Sequence, residues 1–181
     1  MANDGRVSHL PPVTLVLGGA RSGKSRHAER LVEAAGAGLY LATAEARDDE
    51  MSERIRTHRD RRGTAWETVE EPIDIVDVLK ERARADRPIL VDCLTLWLSN
   101  LLEMDIDPAA DVKKLTDAFS GLAGPVVLVS NEVGLGVIPM GELTRAFVDH
   151  AGRMNQAVAE AADRVILVTA GLPMTLKDKS Q

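Results

Sequence analysis

Three places in the sequence carry residues whose types and spacing suit chemistry. The first is Gly18-Gly19-Ala20-Arg21-Ser22-Gly23-Lys24-Ser25, which matches G-x-x-x-x-G-K-[ST]. Glycines there let backbone N–H groups point inward at phosphate oxygens, and a following helix adds its positive dipole end. Lys24 would reach the β- and γ-phosphates, and Ser25 would offer a hydroxyl to Mg²⁺. The plain alternative is a glycine-rich turn into an ordinary helix. The second is Asp92, which closes the apolar run Ile89-Leu90-Val91. An acid at the end of such a run suits a metal-holding role, with a helix N-cap as the alternative.

The third is the charged segment from Asp48 to Arg62, where Arg54, Arg56, Arg59, Arg61 and Arg62 crowd around His58. On a helix, Arg54 and Arg62 stand one turn before and after His58, on its own face. Such cations disfavour the imidazolium, and a neutral imidazole is a nucleophile. By composition alone a solvated helix of alternating charge is the favoured reading. His9, His27 and His150 show no comparable setting.

Elements must position these groups. Val13–Leu17 reads as a strand before the glycines, and Lys24–Ala35 as an amphipathic helix after them. Further strands are expected at 38–43, 65–70, 88–92, 125–130 and 165–169, the last taken as the final one. Helical spacing is expected over 48–62, 73–85, 94–102, 111–122 and 141–163, with a break near Gly152. Strands alternating with helices imply a mainly parallel sheet, and near-continuous apolar strands suit burial on both faces.

Composition bounds the rest. The chain has 181 residues, one domain's length at roughly 150 residues per domain. Residues 13–176 are expected to form that domain, with a loose leader at 1–12 and a polar tail at 177–181. Aromatics are only 3%, so the core must be aliphatic. Lys+Arg is 22 against Asp+Glu 28, a net charge of −6, which disfavours nucleic acid and anionic membrane as partners. One cysteine, Cys93, excludes an intramolecular disulfide or a Cys-based zinc site and fits a reducing cytosol. No apolar signal core or membrane-length run is seen, so a cytoplasmic protein without an anchor is expected. A regulatory GTPase would need Asn-Lys-x-Asp, which is absent, and Asp149-His150-Ala151-Gly152 sits too late in a helical stretch.

Several motifs then occur in order. After the phosphate-loop motif come Tyr40-Leu41-Ala42-Thr43-Ala44, Asp49-Glu50-Met51, Arg54-Ile55, His58-Arg59 and Trp66 to Pro72. Asn131-Glu132-Val133-Gly134, Gly152 to Gln156 and Ala170-Gly171-Leu172-Pro173 follow. Over about residues 13–173 the chain resembles the bifunctional adenosylcobinamide kinase / adenosylcobinamide-phosphate guanylyltransferases. The resemblance implies an α/β P-loop (RecA-like) fold with helices on both faces of a mostly parallel sheet. It implies phosphorylation of a corrinoid hydroxyl with ATP or GTP, then transfer of GMP from GTP to that phosphate.

By the same resemblance His58 becomes the guanylylated nucleophile, with Lys24 catalytic in the phosphate loop. Nucleotide contacts carry over to Gly18, Gly19, Ala20, Arg21, Ser22, Gly23, Lys24 and Ser25. They also carry over to Thr43, Ala44, Glu45, Arg59, Asp60, Arg61, Arg62, Glu70 and Asp92, and Ser25 and Asp92 would hold Mg²⁺. A homotrimer is implied. Thr57 stands where some members carry a second histidine. Two other readings stay open: a simple small-molecule kinase in which His58 only binds phosphate, and a nucleotide-binding regulatory module without chemistry. The roles of Asn131–Gly134, Arg153 and Asn155 are unassigned by sequence.

Overall fold

The computed structural model describes residues 10–45, 53 and 66–179. The helix expected over 48–62, and with it His58 and its arginines, lies outside the described residues. Strands β1 (Val13–Gly18), β2 (Gly38–Ala42), β3 (Trp66–Glu70), β4 (Ile89–Asp92), β5 (Val126–Asn131), β6 (Arg164–Thr169) and β7 (Leu172–Asp178) form one seven-stranded sheet. Its order is β3-β2-β4-β5-β1-β6-β7, parallel except for the antiparallel β6–β7 pair. Helices α1 (Lys24–Ala35), α2 (Ile75–Arg82), α3 (Leu94–Glu103), α4 (Pro108–Ala118) and α5 (Glu142–Ala161) cover both faces.

Alternation along the buried strands divides the core. Val16, Tyr40, Leu90, Val127 and Val129 face α1, packing on Ala28 and Val32. Leu15, Leu41, Val91 and Leu128 face the other way, onto α2 to α5. Strands buried on both faces read as continuous apolar runs, which is why β1, β4 and β5 were legible.

Four boundaries differ from expectation, each for a local reason. Glu71 Oε1 accepts from the N–H groups of Ile73 and Asp74 at 2.9 Å, so α2 begins only at Ile75. Asp107 caps α4 by accepting from Ala109 N–H at 3.0 Å, with Pro108 in the first turn, so that helix starts before Asp111. Gly152 does not break α5, because Ala151, Met154 and Val158 bury one continuous face, outweighing glycine's cost of about 1 kcal/mol. A strand follows Thr169: Ala170 (φ 50°) and Gly171 (φ 79°) make a tight turn into β7. Lys177 and Asp178 therefore pair within the sheet, and Arg164 Nε donates to Asp178 Oδ2 at 2.9 Å. At the other end, Leu10 is already buried in the core.

Candidate functional site

The glycine-rich loop leaves the carboxyl end of β1 and enters α1. Ser22 N–H donates to Gly19 O at 3.2 Å, closing a turn. Arg21 (φ 58°) and Gly23 (φ 95°) take the left-handed conformation. Successive N–H groups around such residues form a concave row of donors, completed by the N-terminus of α1. A Cβ on Gly18 would lie 2.4 Å from Ser22 Oγ and 2.5 Å from Val168 O, so the backbone there admits only glycine. Gly171 N–H donates to Ser22 O at 2.9 Å, so the β6–β7 turn braces the loop from outside. Lys24 is buried, and its Nζ donates to Gly19 O at 3.2 Å, holding the ammonium over the loop. Ser25 is half-buried at the second position of α1.

Asp92 ends β4 on the sheet face shared with α1. Tyr40 Oη, from β2, donates to Asp92 Oδ2 at 3.0 Å. The other carboxylate oxygen makes no hydrogen bond among the described residues. Asp92 is not the cap of α3: that position is Cys93, which makes no side-chain capping bond. Burial, and then the neighbouring Asp92 charge, pushes the Cys93 thiol up to about 11. Cys93 is thus a core residue, as its type suggests.

Thr43 is fully buried just past β2. Its hydroxyl accepts from Cys93 N–H at 2.9 Å and donates to Cys93 O at 2.8 Å. Asn100 Nδ2, on α3, donates to Thr43 O at 2.8 Å and to Pro72 O at 3.1 Å. These bonds tie Thr43 to the end of β4 and to α3. Glu70, exposed, is the last residue of β3 and the register partner of Ala42.

A further polar group lies at the end of β5. Ser130 Oγ donates to Asn155 Oδ1 at 2.7 Å and lies 3.3 Å from Thr95 Oγ1. Thr95 Oγ1 accepts from Asn131 N–H at 2.7 Å, and Asn155 Nδ2 donates to Asn131 O at 3.1 Å. Asn155 is therefore buried and structural rather than helix surface, whereas Arg153 is exposed. Asn155 stood out in the sequence only as part of the Gly152–Gln156 motif, without a role; for Thr95 and Asn100 the signal was a polar residue on an apolar helix face. His27, on α1, is held below the usual imidazole range by burial and then by Arg30; its Nε2 is buried without a partner among the described residues.

Gly18 to Ser25, Thr43 to Glu45, Glu70 and Asp92 thus gather at the carboxyl edge of β1 to β4, where open parallel sheets bind ligands. His58, Arg59, Asp60, Arg61 and Arg62 lie outside the described residues. Among the described residues no three His, Cys, Asp or Glu side chains gather as a metal cluster, and no helix is long and apolar enough to cross a membrane.

Comparison with known proteins places this geometry. Among solved structures, the flagellar accessory protein FlaH from Methanocaldococcus jannaschii aligns with a TM-score of 0.57 at 14% identity. That alignment covers 97% of this chain and 83% of that one. The RadB recombinase aligns with a TM-score of 0.52 at 14% identity, covering 88% and 75%. At such identity these show the fold alone, and the expected RecA-like P-loop fold is borne out. The family model for cobinamide kinase / cobinamide phosphate guanyltransferase matches residues 14–176. The bifunctional adenosylcobalamin biosynthesis protein CobP of Pseudomonas aeruginosa is 52% identical over 166 residues, covering 90% of this chain and 96% of that protein. The corresponding protein CobU of Escherichia coli is 40% identical over 178 residues, covering 90% and 98%. Matched over most of its length by the model and by both relatives, the chain belongs to the cobinamide kinase / cobinamide phosphate guanyltransferase family.

Proposed function

We propose that residues 13–176 act as one bifunctional transferase of cobalamin biosynthesis in the cytoplasm. It phosphorylates the hydroxyl of adenosylcobinamide and then joins GMP to that phosphate. The observation that carries the reading is the braced phosphate loop with Asp92 two strands away, in a chain of this family. In the first step the acceptor hydroxyl forms a bond to the γ-phosphorus of ATP or GTP, and the nucleoside diphosphate leaves. The loop N–H groups and Lys24 hold the phosphates and take up charge as that bond breaks. In the second step a nitrogen of His58 attacks the α-phosphorus of GTP and pyrophosphate leaves. The corrinoid phosphate then displaces His58, giving adenosyl-GDP-cobinamide. Arg59, Arg61 and Arg62 neutralise the transferred group; Asp60, Glu70, Ala44 and Glu45 complete the nucleotide contacts. Thr43, expected among them, is fully buried with its hydroxyl donating to and accepting from Cys93, so it positions its neighbours and does not touch the nucleotide.

Ser25 and Asp92 fit a magnesium ion. Both offer hard oxygen, and Asp92 keeps one carboxylate oxygen outside its bond to Tyr40. When bound with the nucleotide, that ion neutralises phosphate charge.

A homotrimer completes the reading. Its support is an apolar surface: Leu135, Val137, Ile138, Met140 and Leu143 are all at least 78% exposed.

The test is covalent labelling. The protein is incubated with Mg²⁺ and GTP labelled at the α- or the γ-phosphate, denatured, and assayed for retained label. Acid-labile, alkali-stable α-label that disappears in His58→Ala is the expected result. No α-label where GTP demonstrably binds would leave a simple kinase.

A further inference from the structure

The Asn131-Glu132-Val133-Gly134 motif has no part in the steps above, yet it sits against the phosphate loop. Asn131 is the register partner of Gly18, and Glu132 N–H donates to Gly18 O at 3.1 Å. β5 lies between the strand that ends in Asp92 and the strand that feeds the loop. Asp92 pairs with Val129, and Asn131 lies two residues further along. By alternation its side chain shares the face of Val129, Asp92 and α1.

Ser130 turns the opposite way, into the bonds with Thr95 and Asn155. Those bonds hold Asn131 by its main chain: its N–H on Thr95 and its carbonyl on Asn155. The Asn131 carboxamide itself is half-buried and has no hydrogen bond among the described residues. The result is a fixed backbone with a free neutral donor, at the edge of a site built for polyphosphate. Glu132 does not suit that place, since its carboxylate accepts from Gly134 N–H at 3.1 Å and would repel phosphate.

We propose that Asn131 is a catalytic residue of the phosphoryl-transfer step, its Nδ2 donating to an oxygen of the γ-phosphoryl group. Thr95, Ser130 and Asn155 are positioning residues that aim it. Asn131 moves no proton. The acceptor oxygen bonds to the γ-phosphorus, the bond to the β,γ-bridging oxygen breaks with its electron pair leaving on the diphosphate, and the hydroxyl proton passes to solvent. Asn131 follows the charge on the group in flight. The proposal rests on the kinase reading and adds one contact to it.

The experiment is calorimetric titration of the full chain with Mg²⁺ and either ADP or the β,γ-imido analogue of ATP, without corrinoid. Adenine nucleotides keep guanylyl transfer out of the measurement. Wild type is expected to bind the triphosphate analogue more tightly than ADP. In Asn131→Ala that preference falls about tenfold, the loss of one hydrogen bond to a charged oxygen, while ADP affinity and melting temperature hold. In Asn131→Asp it falls further, because a carboxylate at that place also repels the γ-phosphoryl oxygens. Asn155→Ala shifts the preference the same way by less. An unchanged preference in both Asn131 variants overturns the proposal, as does an equal loss of ADP and analogue affinity, which marks a damaged loop. A wild-type chain that binds neither nucleotide instead removes the kinase reading on which the proposal stands.

Discussion

A carboxylate at the end of a buried strand serves a phosphate site only if it is aimed. Asp92 is aimed by Tyr40, whose ring is fixed by burial and by an edge-on contact with Trp66, ring centroids 6.2 Å apart. The hydroxyl occupies one carboxylate oxygen and leaves the other outside that bond. Tyr40→Phe keeps the ring and removes the bond. We expect it to fold, and to need about tenfold more Mg²⁺ for half-maximal kinase rate, since a bond to a charged group contributes about 1.5–3 kcal/mol. Manganese binding in the presence of ADP, followed by its spin-resonance signal, should weaken in parallel. Unchanged metal dependence in both assays would remove Tyr40 from the site. Tyr40, within a motif, and Asp92, closing an apolar run, were each visible in the sequence, but their pairing across 52 residues was not.

At the scale of elements, the loop depends on its neighbours more than on its own residues. Gly18 is closed in by Ser22 and by the Val168 carbonyl of β6, so an added methyl group must push the loop off the sheet. Gly18→Ala is expected to destabilise the fold by about 2 kcal/mol, in the range of overpacked sites, and to abolish nucleotide binding. A melting curve with and without ADP checks both. A variant that still gains stability from ADP as wild type does would show that the loop tolerates the shift. Loop and α1 were legible, because glycines at fixed spacing followed by an amphipathic run leave few alternatives. β7 was passed over although Leu172, Met174 and Leu176 alternate with Pro173, Thr175 and Lys177, the period of a strand: the run is short, Pro173 stands inside it, and the polar residues after it read as a tail. The Ala170-Gly171 turn returns the chain to β6 and gives that pattern a partner. The Thr95–Ser130–Asn155 group was equally hidden, since three elements must converge before those polar residues acquire partners.

For the whole molecule the unbalanced feature is apolar surface on an otherwise acidic chain. Val137 and Met140 are each 96% exposed and Leu143 is 88% exposed, just before and within the first turn of α5. On the sheet edge, Leu172, Met174 and Leu176 of β7 are exposed as well. A run of this kind on a lone chain invites aggregation, whereas between subunits it is buried and stabilising. An assembly is therefore expected to cover the segment before α5, and a trimer should show three times the 19.5 kDa chain mass by light scattering. Val137→Glu with Leu143→Glu places two charges where subunits would meet, without touching the core. That variant is expected to run as a monomer with an unaltered circular dichroism spectrum. Because the guanylyl carrier is proposed to work with groups gathered at the carboxyl edge of the sheet, the same sample separates two designs. If monomers keep both transfers, each chain holds a whole site. If only guanylyl transfer is lost, the second step draws on a neighbouring subunit. A wild-type chain that scatters as a single copy would remove the trimer altogether.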